Sequence, residues 1–317
     1  MNKIISTGID VSKDKLDVAL LDQGQVGQLG QFENNVKGIR ELIKLLKHKG
    51  ATSAPLIIES TGEYHLSASF MLQKDGFKVN CINPLITKQY ERASIRGAKT
   101  DRVDALRLAK IGILENNLPV FQSSRAQLKA KKYASLLAIL EHQAQALKQS
   151  MASVEKNQAL FSMRAKSKRL ARILTLFKEE ITDLKSDLAD QLPDSWQECA
   201  NATKGVSRAE LGILHALLAG HEFSPKDKLV AFLGLDVRKR QSGSWQSREH
   251  LSKRGSPYGR KVLYQIAWGL MMHNPKYKQY YQSLRKRKKP YLTAMAALSR
   301  KFLRNFYATV LKPEMNG

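Results

Sequence analysis

Ile4-Ile5-Ser6-Thr7-Gly8-Ile9-Asp10-Val11, then Leu16-Asp17-Val18-Ala19-Leu20-Leu21, with Asp14 and Lys15 making the turn between them, decide how the first third of the chain is read. The first run is short, apolar and ends on an acid. The second alternates, as a strand with two unlike faces does. Gly24 to Phe32 carries three glycines and reads as a third, weaker strand. Three such runs in succession suit an antiparallel meander.

Outward from that meander, Ile39, Leu42, Ile43 and Leu46 recur at helical spacing within Val36–Lys47, and Gly50 stops the helix. Leu56 to Ile58 is a buried strand, Tyr64 to Gln73 a helix, and Phe77 to Ile82 another strand. Asp101 to Leu114 is a helix with apolar residues at Val103, Leu106, Leu108 and Ile111. The order βββαβαβα is that of ribonuclease-H-like folds, so residues 1–120 are expected to form an α/β domain of that class. Pro and Gly are absent from Val120 through Leu192, which predicts one or two long helices over residues 121–198. Residues 199–317 read as a further, mainly α unit, opened by Lys204-Gly205-Val206-Ser207 and the apolar helix Ala209–Leu218.

The chain has 317 residues, a formal net charge of +25 and a pI near 10.0. Such a balance points to a polyanionic partner, with nucleic acid foremost. No segment carries 18 consecutive apolar residues, which argues against a membrane partner. No signal peptide is visible, and a cytoplasmic location is expected. Cys81 and Cys199 support neither a disulfide framework nor a zinc site, and Cys81 reads as a small core residue. The charge is uneven. Residues 1–110 hold 17 Lys/Arg against 12 acids, whereas Lys226 to Gly317 holds 21 against 4. Phosphate contacts are therefore expected mainly in the C-terminal part. The long helices and Arg285-Lys286-Arg287-Lys288-Lys289 are also basic; each is either a solvated face or a nucleic-acid grip.

Four acids stand at element ends: Asp10, Glu59, Asp101 and Asp104. Asp101 and Asp104 are three apart and share a helix face. Two strand ends and one helix turn could bring four oxygen ligands together for a hard divalent cation, as phosphodiester chemistry requires. The plainer reading is helix capping and dipole compensation, and spacing alone leaves both open. His65 near Glu59 and His250 read as packing or surface residues. Ser242 precedes a glycine in a cation-flanked loop, Arg238-Lys239-Arg240-Gln241-Ser242-Gly243; Ser-Gly is also an ordinary loop dipeptide. Downstream, Lys253, Arg254 and Arg260 surround a Gly- and Pro-containing helix start, which is either a phosphate-binding turn or a solvated one.

Taken together, Gly8-Ile9-Asp10-Val11-Ser12-Lys13, Glu59-Ser60-Thr61-Gly62, Lys99-Thr100-Asp101-Arg102-Val103-Asp104-Ala105, Gly205-Val206-Ser207, Phe232-Leu233-Gly234-Leu235, Gln241-Ser242-Gly243 and Leu251-Ser252-Lys253-Arg254-Gly255 resemble one family over nearly the whole chain. It is the DEDD transposases of insertion-sequence family 110, bridge-RNA-guided serine recombinases. Asp236-Val237 departs from it, where proline often follows Gly-Leu. The resemblance implies a RuvC-like domain over 1–120 with Asp10, Glu59, Asp101 and Asp104 holding Mg²⁺ or Mn²⁺. It implies a coiled-coil oligomerisation region over 121–198, and a transposase domain over 199–317 with Ser242 as nucleophile. Arg240, Arg248, Lys253, Arg254 and Arg260 are the candidates for binding phosphates. The implied partners are donor and target DNA, a structured noncoding guide RNA, and further copies of the chain, as a dimer that becomes a tetramer on DNA. A RuvC-like junction resolvase using metal-activated water is the competing enzymatic reading, and a nucleic-acid-binding scaffold the non-enzymatic one.

Overall fold

The computed structural model describes residues 4–22, 25–26, 30–60, 62–92, 101–115, 117–221, 223–238, 241–242, 245–246 and 250–312. Two units are distinguished, Met1–Ser123 and Ser124–Gly317.

In the first unit, β1 (Ile4–Val11) and β2 (Lys15–Asp22) pair antiparallel, with Ile9 opposite Val18 and Asp10 opposite Asp17. The expected third strand is two short pieces, β3 (Gln25–Val26) and β4 (Gly30–Glu33), both paired with β2. The rest of that run lies outside the described residues. After α1 (Val36–His48) the chain returns as β5 (Leu56–Glu59), parallel to β1. After α2 (Leu66–Lys74) comes β6 (Val79–Ile82), parallel to β5. The order β3-β2-β1-β5-β6 is the mixed sheet expected of a ribonuclease-H-like fold. Two helices follow, α3 (Pro84–Arg92), which periodicity did not announce, and α4 (Asp101–Leu114).

The two faces of the sheet are sorted by the period of two. Ile9 and Ile58 turn to one side, with Ile39, Leu42 and Leu46 of α1 and Leu72 of α2. Ile57 turns to the other, with Leu108 and Ile111 of α4. Gly8 shares that second face. A Cβ placed there would lie 2.0 Å from the Ala105 carbonyl oxygen and 2.4 Å from the Ala109 nitrogen. Both are backbone atoms of a helix, so the clash has no flexible side chain to absorb it. Gly8→Ala is therefore expected to destabilise the protein by about 3 kcal/mol; a urea midpoint equal to that of the wild type would overturn the packing argument.

The second unit begins with α5 (Arg125–Lys156), which opens on a reciprocal capping box between Ser124 and Gln127. The short α6 (Gln158–Phe161) leads to α7 (Arg164–Asp190), which folds back against α5. Then come α8 (Asp194–Ala202), α9 (Arg208–Leu218) and α10 (Lys226–Phe232). A ribbon of four two-residue strands follows: β7 (Val237–Arg238), β8 (Gln241–Ser242), β9 (Trp245–Gln246) and β10 (His250–Leu251). The chain closes with α11 (Pro257–His273), α12 (Pro275–Lys286) and α13 (Tyr291–Phe306). Ala130, Ala134 and Leu137 of α5 and Leu184 and Leu188 of α7 join one apolar cluster with Trp196, Leu211, Ile266 and Phe306. Trp196 is its anchor, edge-on to His215 and Phe306.

Glu141 of α5 ties three helices. Its carboxylate meets Lys185 of α7 and Lys261 of α11, each at 2.6 Å. Burial acts to raise its pKa, but the two ammonium groups outweigh burial and hold it below the ordinary carboxylate value. A depressed carboxylate stabilises the fold above its unfolded-state pKa and loses that contribution as pH falls through the folded one. Melting temperature should thus fall more steeply below pH 5 in wild type than in Glu141→Gln, which has no proton to take up there. Parallel curves for the two proteins would refute the role given to this carboxylate.

Candidate active site

Asp10 follows Ile9 on β1, and Glu59 follows Ile58 on β5; Ile9 and Ile58 are partners in the parallel register. One residue further on, the two acids therefore stand side by side at the ends of adjacent strands. Alternation turns both toward the face that holds Gly8, which is the face α4 covers. Asp10, Glu59 and Asp104 together line a cavity of about 180 Å³, with Thr87 and Lys88 from α3 and Arg107 and Leu108 from α4. The Gly8 contact sets the spacing, because Ala105 adjoins Asp104 and rides on the β1 backbone. Arg107 forms an ion pair with Asp104, one turn earlier on the same helix.

Hard oxygen donors from three elements around a cavity several times the roughly 30 Å³ of one water fit a hydrated divalent cation such as Mg²⁺ or Mn²⁺. Among the described residues, no three acids yet stand close enough together to hold one ion between them. α4 starts at Asp101, whose side chain lies outside the described residues. Lys88 and Arg107 were not singled out by the sequence reading. Arg107 carried a signal, its spacing of three from Asp104; Lys88 carried none, because α3 was not foreseen. His65 is buried at the start of α2 and does not line the cavity.

Ser242 lies on β8, in a short ladder where it pairs with Trp245, and β7 pairs with β10 around it. The sequence reading expected a loop there. The Ser242 side chain lies outside the described residues, as do Arg240 and Arg248 altogether. His250 is exposed on β10. After β10 the chain makes a tight turn. The Ser252 hydroxyl donates to the Asp236 carboxylate, and the Ser252 amide donates to the Asp236 carbonyl. The residue that departs from the resembled pattern thus holds this turn. Lys253 takes the left-handed conformation at φ +53°, and Gly255 is essential to the close approach, since a Cβ there would meet the Phe232 carbonyl at 2.0 Å. Lys253 and Arg254 are exposed, whereas Arg260 donates through Nη1 to the Gly255 carbonyl at 2.7 Å. Arg260 therefore shapes the turn that presents the other two cations.

Cys81 packs against the first unit's core with its sulfur 3.3 Å from the Ser69 hydroxyl, and burial pushes the Cys199 thiol up. Among the described residues, no helix is long and apolar enough to cross a membrane.

Comparison with known proteins agrees with this layout. A family model of the DEDD type of IS110, described as "Transposase", matches residues 7–162, and one described as "Transposase IS116/IS110/IS902 family" matches residues 199–282. The chain is 25% identical to the pilin gene-inverting protein of Moraxella bovis, over 96% of this chain and 94% of that protein. It is 26% identical to the protein of the same name from Moraxella lacunata, with the same coverage. Among solved structures, T. thermophilus RuvC in complex with Holliday junction substrate is similar at 12% identity, over 33% of this chain and 90% of that one, with a TM-score of 0.27. The fold assignment rests on the strand order, not on that overlap. With both family models in chain order and the acids of the first meeting at one cavity, the chain belongs to the IS110 family of transposases, which are DNA-processing enzymes.

Proposed function

We propose that the protein is an RNA-guided recombinase of an insertion sequence, which cuts and rejoins DNA strands through a phosphoserine link to Ser242. The observation that carries this reading is the convergence of Asp10, Glu59 and Asp104 on one cavity. Asp101, at the start of the same helix as Asp104, is the fourth acid of the set. Bound there, Mg²⁺ or Mn²⁺ would supply charge stabilisation for the scissile phosphate. The chain's own residues do the rest. Ser242 Oγ attacks phosphorus, its proton leaves, and the 3′-oxygen of the cut strand departs as a hydroxyl. A 3′-hydroxyl from another strand then attacks the phosphoserine, restores a phosphodiester and releases Ser242. No bond energy is lost, so no nucleotide cofactor is consumed.

In this reading residues 1–120 hold the metal, residues 121–198 bring copies of the chain together, and residues 199–317 carry the nucleophile. The exposed apolar side chains Leu160 and Phe161 of α6 and Leu176 of α7 support self-association. Arg240, Arg248, Lys253 and Arg254 neutralise phosphates, and Arg260 holds the turn that presents Lys253 and Arg254 while adding its charge to it. Sequence choice belongs to an RNA paired with donor and target DNA.

The test uses the full chain, a nicked DNA substrate and the noncoding RNA encoded beside the gene. Denaturation should leave a DNA–protein adduct that forms only when the RNA is present. Cut DNA without any adduct would favour the competing reading, hydrolysis by a metal-activated water.

A further inference from the structure

The last two helices carry a charge pattern that the active-site reading leaves unused. From Pro275 to Lys312 the chain has eleven Lys/Arg and no acid. Most of these cations project outward, but Arg300, Lys301 and Arg304 converge. They lie at i, i+1 and i+4 on α13 and, with Tyr280 of α12, Ala297 and Asn305, line a cavity of about 260 Å³. Like charges three and four residues apart destabilise a helix unless an anion neutralises them.

Three details separate this pocket from a solvated basic face. The Arg300 Nε is buried and has no hydrogen-bond partner among the described residues, although buried donors are as a rule satisfied. The Lys301 ammonium sits 4.2 Å from the centre of the Tyr280 ring and 5.7 Å from that of Tyr277, which orients it without consuming its charge. Among the described residues Arg304 pairs with Asp227, at 3.1 Å, in a largely exposed pair that is weak in water. Two planar guanidinium groups and a fixed ammonium around one cavity suit a tetrahedral anion with several acceptor oxygens.

We propose that this pocket is a phosphate seat for the backbone of the nucleic acid on which the protein acts. It lies on different elements from the Lys253–Arg260 turn. This proposal rests on the nucleic-acid reading given above. A seat on α13 would fix the strand's position without reading its sequence.

The experiment measures binding of the full chain to duplex DNA and, separately, to structured RNA by fluorescence anisotropy across a salt series. Inorganic phosphate is included as a competitor. The variants are Arg300→Gln, Lys301→Gln and the conservative Lys301→Arg, each first checked for an unchanged circular dichroism spectrum. Removing one phosphate contact should lower the slope of log affinity against log salt by about 1 and weaken binding roughly three- to tenfold at low salt. Lys301→Arg should restore both. The nucleic acid whose slope changes, DNA or RNA, is the one that occupies the seat. Unchanged slopes on both, with wild type binding normally, would overturn the seat and leave the proposed function standing. Wild type that binds neither nucleic acid would overturn both. Loss of inorganic phosphate competition alone, with both nucleic-acid slopes intact, would identify a free-anion site and also overturn the proposal.

Discussion

Asp10→Asn should reduce DNA strand cleavage by about 10³-fold or more while leaving the protein folded and able to bind DNA. A thousandfold corresponds to about 4 kcal/mol of lost transition-state stabilisation, the scale of removing one fixed charge-stabilising group from a site. The substitution keeps shape and removes only charge. Asp10 lies at a strand end beside Glu59, on the cavity that Asp104, Lys88 and Arg107 also line. Mg²⁺ or Mn²⁺ should raise the melting temperature of wild type, because binding to the native state stabilises it, and should do so much less in Asp10→Asn. Single-turnover cleavage within tenfold of wild type, or an undiminished metal shift, would remove Asp10 from the reaction.

Ser242→Ala is expected to abolish the covalent adduct and strand exchange together. Serine and alanine differ by one oxygen, and the position lies in a two-residue strand whose pairing with Trp245 is made by the backbone. The ladder and the DNA affinity should therefore survive. What the substitution removes is the proposed attacking hydroxyl. The decisive readout is the pair of products, adduct on a denaturing gel and cut DNA. Loss of both supports the serine as nucleophile. Full cutting by Ser242→Ala would instead assign the attack to water and the acids to a hydrolase. The two variants should also differ in kind: Asp10→Asn diminishes the cation's effect on melting, and Ser242→Ala leaves it intact.

Much of the first unit was legible because its signals are local. The runs ending at Asp10 and Glu59 are apolar enough to mark strands, and Asp104 stands at the proper spacing on a periodic helix. That they could meet was readable from the strand order, but spacing alone left helix capping open beside it. α3 was hidden because nine residues beginning with proline show little more than one apolar pair, Ile86 and Tyr90; with it went Lys88. The glycine-bearing third strand was read as one run, and both of its described pieces pair with β2. In the second unit the absence of Pro and Gly announced α5 and α7. Their share in the core of the C-terminal helices was not legible, since the contact is carried by Ala130 and Ala134, whose small side chains look like helix formers anywhere. The ribbon around Ser242 escaped for another reason: pairing between segments leaves no local mark in the sequence. Arg260 looked like another phosphate ligand, because sequence shows its charge but not the Gly255 carbonyl it holds.

The contact between Gly8 and α4 also constrains the lineage. The distance between the acid on the strand and the acid on the helix is set where two main chains touch, so no side-chain substitution can tune it gradually. Selection can vary the surroundings, but a change of one methyl group at the contact costs stability and geometry at once. A methyl group at position 8 would therefore move the strand acid and the helix acid apart together with the two backbones, so stability and cavity geometry change as one.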